Sequence, residues 1–309
     1  MMVIKEIASY IPGKKESNYE LAEKFNIDTL FIKNKLGVEF RSIKEKTETA
    51  SDLCVKAFEN LEGKIDIERN KIDCCIVITQ NPDYNIPHTS AIVHSKLNLP
   101  TNCACFDISL GCSGYVYGLS VIISFMKENN FKHGLLFTAD SYRDILDKND
   151  KNTYLLFGDA STVNYISDEK DSSNYFIPID FLFGTTGTDF NSLIAKEKLF
   201  MNGRKVFNFV LKEIPKDISI LLERNNLKLE NIDKFVFHQG SKYIIDSIKD
   251  KLALDSDKVV FDIYKYGNTV SSSIPIILEN EIKKTENKNI LISGFGVGLS
   301  KGTALLTRR

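Results

Sequence analysis

Residues 105–119 read CFDISLGCSGYVYGL, and this stretch predicts a strand, a tight turn and a helix in immediate succession. The apolar run Phe106–Ser109 is predicted to form the strand, Gly111 permits the turn, and Gly114–Met126 has the composition of a buried helix. Cys112 would then lie at the amino end of that helix, where free N–H groups and the helix dipole favour thiolate over thiol. The same N–H groups can hold an oxyanion that forms when the sulfur attacks a carbonyl. The stretch alone leaves two interpretations open: a reactive thiol, or a buried structural cysteine at a turn.

Strands and helices alternate on both sides of this turn. A helix is predicted over Thr49–Leu61 and a buried strand over Cys74–Thr79, and a further strand follows the turn at His133–Thr138. In the second half, a helix over Phe207–Arg224 precedes the strand Phe235–Phe237. This alternation predicts an α/β fold with a substantially parallel sheet.

A short pattern occurs twice along the chain. Ile72-Asp73 leads into an apolar strand that ends at Thr79-Gln80, and Ile232-Asp233 leads into one that ends at His238-Gln239. The offset is about 160 residues (232 minus 72), which indicates two related halves packed as one body. We place them at residues 1–170 and 171–309.

Composition and charge exclude several classes of protein. Of 309 residues, 43% are hydrophobic and 26% charged, and 40 Lys and Arg face 41 Asp and Glu for a net charge of -1. With this balance, the protein lacks the net positive charge that typically attracts nucleic acid. Lys5 and Glu6 interrupt the first apolar residues, so no signal peptide is predicted, and no apolar run reaches the roughly 20 residues of a membrane helix. We therefore expect a cytoplasmic protein without membrane insertion.

Six cysteines are present, and none belongs to a CxxC pair or has a histidine at ligand spacing, so no metal site is predicted. Five of them are interpreted as small buried side chains in a reducing compartment: Cys54, Cys74, Cys75, Cys103 and Cys105.

Two polar residues of the second half are candidate partners for Cys112. His238 follows the strand Phe235–Phe237, at the end of a strand where ligands bind in open α/β sheets, although a core histidine is the alternative. Asn268 stands between Gly267 and Thr269, a setting that by itself is typical of a turn or a helix cap. The other three histidines are interpreted as structural or solvent-facing.

Six short segments occur in a definite order along the chain. They are LGVEFR at 36–41, the turn around Cys112, FGDA at 157–160, HQ at 238–239, GNT at 267–269 with SIP at 273–275, and GFGVG at 294–298. Each is weak alone, but together they resemble the motifs of the ketoacyl synthase III family of the thiolase superfamily. The resemblance extends over nearly the whole chain.

The resemblance implies a thiolase-like, five-layered αβαβα fold made of two duplicated halves, in a homodimer. It implies that Cys112 takes an acyl group from acyl-CoA or from an acyl carrier protein, and then condenses it with malonyl carried by the carrier protein. His238 and Asn268 would donate hydrogen bonds to the enolate left by decarboxylation, and the backbone N–H groups of Cys112 and Val297 would form the oxyanion hole. No tightly bound cofactor is implied.

The chain departs from the family pattern where coenzyme A is held. It has no Trp, and Phe31 stands where the family has one; Lys35 and Lys151 replace common arginines, and Tyr243 replaces another. A lysine lacks the bidentate fork that an arginine offers a phosphate. Ser241 also replaces an Asn and Val297 a Gly. We take Phe31, Lys35, Lys151 and Tyr243 as candidates for binding the donor's phosphopantetheine, and expect a specialised branch whose donor is a carrier-protein thioester.

Two further points concern the acyl group. Candidates for lining its pocket are apolar residues in plausible loops: Ile86, Phe181, Leu182 and Phe183. Two alternatives to condensation remain open. One is an acyltransferase that passes the Cys-bound acyl group to an amine or hydroxyl without decarboxylation, with His238 as general base, and the other is a non-catalytic acyl-binding scaffold.

Overall fold

The computed structural model of the protein describes residues 1–168 and 175–308. Its strands are β1 (Val3–Tyr10), β2 (Lys15–Ser17), β3 (Phe40–Ser42), β4 (Cys74–Ile78), β5 (Ala104–Ile108), β6 (His133–Asp140), β7 (Ala160–Ser167), β8 (Phe176–Thr185), β9 (Leu193–Ala195), β10 (Leu199–Met201), β11 (Lys234–Phe237), β12 (Asn289–Gly296) and β13 (Ser300–Arg308). Its α-helices are α1 (Thr29–Phe31), α2 (Ala50–Glu62), α3 (Thr89–Leu97), α4 (Gly114–Glu128), α5 (Lys151–Tyr154), α6 (Gly203–Arg224), α7 (Lys242–Lys251) and α8 (Ser273–Glu281).

Nine strands pair in the order β5-β4-β6-β7-β1-β8-β13-β12-β11. One residue pair, Ile4 with Phe176, joins β1 to β8, so the nine strands divide there into a five-stranded and a four-stranded sheet. The pairs β2–β3 and β9–β10 form two small separate sheets.

Strand direction is mixed, which corrects the expectation of a substantially parallel sheet. β4 runs parallel to both β5 and β6, and β11 runs parallel to β12. The remaining ladders are antiparallel. The short connection 297–299 joins β12 to β13 as a hairpin, and a hairpin cannot join parallel strands.

Helices lie on both sides of each sheet and between the two. α2 and α3 contact the outer face of the five-stranded sheet, and α6 contacts the outer face of the four-stranded one. α4 and α8 each contact strands of both sheets. The order is therefore helices, sheet, helices, sheet, helices, the five-layered αβαβα arrangement.

The repeated Ile-Asp step has the same role in both sheets. The Asp73 carboxylate accepts hydrogen bonds from the N–H groups of Lys132 (2.7 Å) and His133 (2.9 Å), where β6 begins. The Asp233 carboxylate accepts two bonds of 2.7 Å from the N–H groups of residues 288 and 289, where β12 begins. Each aspartate thus fixes the start of the strand that runs parallel to its own.

The boundary predicted between residues 170 and 171 lies outside the described residues, and the division at that position stays a prediction. The predicted helix over Thr49–Leu61 is found as α2, shifted by one residue. Thr49 caps it, because its side chain accepts a hydrogen bond from the Asp52 N–H while the Asp52 carboxylate accepts one from the Thr49 N–H. Of the helices in the described part of the chain, none is long and apolar enough to cross a bilayer.

Candidate active site

Cys112 lies in the turn between β5 and α4, close to the amino end of that helix, as its sequence context predicts. Its side chain is buried, with 4% of the residue exposed. β12 passes directly against this turn. A Cβ atom on Gly296 would lie 2.9 Å from the Cys112 sulfur, and one on Gly294 would lie 2.7 Å from the Cys112 carbonyl oxygen. Only glycine at these two positions allows the strand to approach the cysteine so closely.

The pKa of the Cys112 thiol reflects opposing influences. Burial raises this pKa to about 12, and the Asp140 carboxylate adds to the rise. Hydrogen bonds from the N–H groups of Cys112 and Val297 to the sulfur act in the opposite direction. The position of Cys112 at a helix terminus does not make it a thiolate at rest. Loss of hydration raises its pKa more than the two N–H groups lower it, so Cys112 is a neutral thiol before substrate binds.

His238 extends β11 by one step, since its N–H donates to the Ser293 carbonyl of β12 at 2.8 Å. Its Nδ1 atom lies 2.7 Å from the Ser273 hydroxyl, and the Phe295 ring packs edge-on to the imidazole at 5.5 Å. Burial lowers the pKa of His238 to about 3. The imidazole is therefore neutral near pH 7, with one nitrogen a donor and the other an acceptor.

Asn268 is held by its own backbone and by the next turn. Its N–H donates to the Leu156 carbonyl at 2.9 Å, and its side-chain Oδ1 accepts from the Val270 N–H at 2.9 Å. Gly267 has a φ of 83°, and a Cβ there would lie 2.9 Å from the Leu156 carbonyl oxygen. Val270 has a φ of 54°, in the left-handed region that a β-branched residue rarely adopts. This strained turn fixes the Asn268 amide with its nitrogen directed away from the backbone.

The three candidate residues meet in one place. Cys112, His238 and Asn268 all line a single cavity of about 900 Å³. Within it, the Asn268 Nδ2 atom lies 3.4 Å from the His238 Nε2 atom. The other side of each side chain is also hydrogen-bonded, so the two nitrogens are held together at the cavity, within hydrogen-bond distance of each other.

All four candidates for donor binding line the same cavity: Phe31, Lys35, Lys151 and Tyr243. We call the part of the cavity that these four residues line its mouth. There, the Lys35 ammonium lies 4.2 Å from the centre of the Tyr243 ring. Phe207 also lines the cavity and stacks on Tyr243, with the ring centres 5.1 Å apart. Arg204 also lines the cavity. Sequence reasoning missed Arg204 and Phe207 because neither belongs to a motif. They are brought to the mouth by the first turns of α6.

None of the four residues expected at the acyl pocket lines this cavity. Ile86 is 87% exposed in the loop before α3. Phe181, Leu182 and Phe183 lie on β8, where Phe183 packs against Phe181 and against Tyr117 of α4. That these four residues line the acyl pocket stays a prediction.

Two buried polar residues that the sequence did not single out influence the site: Ser273 through a contact with His238, and Asp140 through its charge, which raises the Cys112 pKa. Ser273 contacts His238, although it was quoted only as part of a motif. Asp140 ends β6, and its carboxylate accepts the Gln80 N–H at 2.8 Å and the hydroxyl of Ser271. An acidic residue that directly follows an apolar strand was the signal available for Asp140. In the ranges 1–168 and 175–308, no group of three or more potential ligands is arranged to hold a metal ion.

Comparison with known proteins identifies the family of this chain. The model of the C-terminal region of 3-oxoacyl-[acyl-carrier-protein] synthase III matches residues 222–308, and a second model of the same synthase matches residues 106–185. The beta-ketoacyl-[acyl-carrier-protein] synthase III of Streptococcus mutans is 31% identical, over 98% of this chain and 98% of its own length. The chain belongs to the ketoacyl synthase III family.

Other members agree with that assignment. The synthase III of Neisseria gonorrhoeae is 32% identical, again over 98% of both chains. Among solved structures, the 3-oxoacyl-(acyl-carrier protein) synthase of Burkholderia xenovorans has 30% identity and a TM-score of 0.92, covering 99% of this chain and 94% of its own. That of Pseudomonas aeruginosa has 26% identity and a TM-score of 0.90, covering 99% and 98%. The ketoacyl synthase III chain described here thus has the thiolase-like fold of its family.

Proposed function

We propose that this ketoacyl synthase III is an acyltransferase of the condensing type, which carries an acyl group on Cys112 and joins it to a malonyl thioester with loss of carbon dioxide. One observation carries the proposal. Two side-chain nitrogens, those of His238 and Asn268, face the cavity beside a thiol whose sulfur already contacts two backbone N–H groups. Condensation needs two separate sites for negative charge, and this arrangement offers both.

In the first step, the Cys112 sulfur attacks the carbonyl carbon of the acyl thioester. The new carbon–sulfur bond replaces the bond to the donor's thiol, and the proton of Cys112 ends on that departing thiol. The carbonyl oxygen carries negative charge in the intermediate, and the N–H groups of Cys112 and Val297 stabilise it. Because the thiol is neutral at rest, this proton must leave during the attack.

In the second step, a malonyl thioester occupies the cavity. Its carbon–carbon bond to the carboxylate breaks, carbon dioxide leaves, and the electron pair moves onto the thioester oxygen as an enolate. That oxygen would lie between the His238 Nε2 and Asn268 Nδ2 atoms. The enolate carbon then attacks the acyl carbonyl on Cys112, the carbon–sulfur bond breaks, and the released thiolate takes up one proton from solvent.

Donation from the His238 Nε2 atom requires that Nδ1 accept a hydrogen bond. We assign this role to Ser273, whose hydroxyl lies 2.7 Å from Nδ1 and 3.1 Å from the Val270 carbonyl oxygen. A hydroxyl hydrogen directed to Nδ1 leaves the proton of the neutral ring on Nε2. If the hydroxyl instead donates to the Val270 carbonyl, the proton of the neutral ring lies on Nδ1, and Nε2 carries no hydrogen. That second arrangement favours the rival function, an acyltransferase in which His238 is a general base.

Release of carbon dioxide separates the two functions. Cys112 is first loaded with an acyl group, and malonyl-carrier protein labelled in its free carboxyl carbon is then added for a single turnover. Condensation predicts one labelled carbon dioxide for each 3-oxoacyl product. Transfer of the acyl group to an amine or hydroxyl without release of label would contradict the proposal, and a protein that never becomes acylated would be a binding scaffold.

For the first step, we propose a carrier-protein thioester as donor. The Lys35 ammonium is engaged with the Tyr243 ring, and Tyr243 is stacked on Phe207, so these groups close part of the mouth instead of presenting guanidinium forks to a nucleotide. Arg204 is the guanidinium that lines the cavity. Acylation rates with matched acyl-CoA and acyl-carrier donors test the proposal, and a clear preference for the CoA form would overturn it.

We also propose that the protein is a homodimer. β5 is an edge strand, paired only with β4 among the described residues, and its side chains are half-buried. Tyr84 and Ile86 are 63% and 87% exposed in the loop that precedes α3. An unpaired edge next to exposed apolar residues is suited to a two-fold contact with a second copy. Sedimentation velocity should give twice the mass of the chain, and a monomer at micromolar concentration would contradict this.

A further inference from the structure

Two buried serines join the turn that carries Cys112 to the turn that carries Val297. The Ser113 hydroxyl lies 2.6 Å from the Ser300 hydroxyl, and the Ser300 hydroxyl donates to the Val297 carbonyl at 2.7 Å. Because a hydroxyl has one hydrogen to donate, Ser300 accepts the bond from Ser113. A continuous chain of hydrogen bonds therefore runs from the residue after the nucleophile to Val297.

Ser113 does not use its hydroxyl for the role that a serine at this position usually has. It is the N-cap residue of α4, where a serine side chain commonly accepts a hydrogen bond from the backbone of the first helical turn. The Ser113 side chain makes no such bond. Capping of α4 therefore does not account for this buried hydroxyl, and its contact with Ser300 does.

The connection between β12 and β13 carries the Val297 N–H, which donates to the Cys112 sulfur. This connection is held at both ends. At one end, Thr186 donates its N–H to the Leu299 carbonyl at 2.8 Å. At the other end, the Ser300 hydroxyl holds the Val297 carbonyl. Loss of that hydroxyl would release the end that carries Val297 and leave the Thr186 contact in place.

The two N–H groups of the proposed oxyanion hole come from distant parts of the chain. Cys112 and Val297 are 185 residues apart (297 minus 112). Two donors stabilise an oxyanion only while both lie within about 3 Å of it, so the spacing between their segments has to be fixed. The Ser113–Ser300 bond links these two segments directly, one residue from the nucleophile and three residues from Val297.

We infer that Ser300, oriented by Ser113, is a positioning residue that keeps the Val297 N–H aligned with the oxyanion formed during acyl transfer. Neither serine lines the cavity, so both act through the backbone that they hold. The inference rests on the proposed acyl-enzyme, because it assigns a support to the oxyanion hole of that reaction.

The two steps of the reaction separate this role from a general effect on the fold, because the oxyanion hole serves acylation while His238 and Asn268 serve decarboxylation. The donor is whichever acyl-carrier thioester, from acetyl to octanoyl, acylates wild type fastest. In Ser300→Ala, acylation of Cys112 by this donor, followed by intact mass, should fall about tenfold or more, up to the 10²–10³ that loss of an oxyanion donor costs. Release of carbon dioxide from malonyl-carrier protein, by enzyme acylated beforehand, should fall far less.

Two variants serve as controls. Ser300→Thr keeps a hydroxyl at this position and should retain most of the acylation rate. Thr303→Val removes a buried hydroxyl that lies 2.9 Å from the Ser293 hydroxyl, between the same two strands, β12 and β13. It should leave both rates close to those of wild type.

Ser113→Ala is a second test variant in case Ser300→Ala does not fold, and it should slow acylation in the same selective way because it removes the orienting bond. Equal losses in acylation and in release of carbon dioxide would overturn the inference. So would an acylation rate that is unchanged in Ser113→Ala and, where it folds, in Ser300→Ala. Failure of every donor to acylate wild type would instead remove the proposed function, so the two failures are distinguishable.

Discussion

The His238 Nε2 and Asn268 Nδ2 atoms lie 3.4 Å apart, and each side chain is hydrogen-bonded on its opposite side. Ser273 contacts His238 Nδ1, and the Val270 N–H donates to Asn268 Oδ1. Neither ring nor amide can turn without losing one of these bonds. The two nitrogens are consequently held in place before any substrate arrives, which is what stabilisation of a developing enolate requires.

Asn268→Ala should separate the two steps of the reaction. The variant removes one of the two donors to the enolate and leaves Cys112 and its N–H groups in place. We expect release of carbon dioxide to fall by about 10²–10³, as for the loss of one oxyanion donor. Acylation of Cys112, followed by intact mass, should fall far less. An equal loss in both steps would show that Asn268 has no specific role in decarboxylation.

Ser273→Ala tests the assigned tautomer of His238. Without the hydroxyl, Nδ1 loses its hydrogen-bond donor, and the Nε2 atom is no longer fixed as the donor. We expect condensation to fall about tenfold more than acylation, the effect of one hydrogen bond. Ser272→Ala is the control, since Ser272 is equally buried and its hydroxyl lies by Thr138 instead of His238. Equal effects of the two substitutions would contradict the assignment.

Asp140→Asn should make the Cys112 thiol more acidic. The Asp140 carboxylate raises the pKa of Cys112, so removal of its charge should lower that pKa. The rate of alkylation of Cys112 by iodoacetamide should then rise at a lower pH than in wild type. Asp159→Asn provides a matched control, because Asp159 is also a buried carboxylate and binds the Lys44 N–H. A profile that is unchanged, or displaced to higher pH, would contradict this prediction.

His238 should make the protein less stable in acid. Its folded pKa, about 3, is below the unfolded value of 6.5, so the stability of the neutral buried form is present above pH 6.5 and is lost as the pH falls toward 3. Relative to His238→Gln, wild type should lose about 3 kcal/mol of unfolding free energy between pH 7.5 and pH 4.5. Comparison with this variant cancels the contributions of other titrating groups, such as Asp140. Urea denaturation at both pH values gives the difference, and a constant difference would show that His238 titrates normally.

Local sequence patterns were sufficient for the turn and the elements around it. The order of apolar strand, glycine and apolar helix predicted the location of Cys112 at the start of α4. The repeated Ile-Asp step indicated two related halves, and its two aspartates make equivalent contacts in the structure. These features depend on neighbours within a few residues or on one strand pair. The cavity that brings Cys112, His238 and Asn268 together was expected only from the family resemblance.

Residues whose roles depend on contacts between distant segments were not predictable in this way. Apolar character alone suggested Phe183 for the acyl site, which stays a prediction, and it did not reveal the contact of the Phe183 ring with Tyr117 of α4. Ser113 and Ser300 meet only because β12 passes against the turn that carries Cys112, and their bond is invisible in the linear sequence. The net pKa of Cys112 was also misjudged, since the sequence indicates a helix terminus but not the depth of burial.

The nucleophile itself is tested most directly by intact-mass analysis. The protein is exposed to a panel of acyl-CoA and acyl-carrier thioesters, in parallel with Cys112→Ala and with Cys105→Ala, which removes a half-buried thiol outside the cavity. We predict a single acyl adduct in wild type and in Cys105→Ala, and none in Cys112→Ala. An adduct that persists in Cys112→Ala would contradict the assignment of Cys112 as the residue that carries the acyl group.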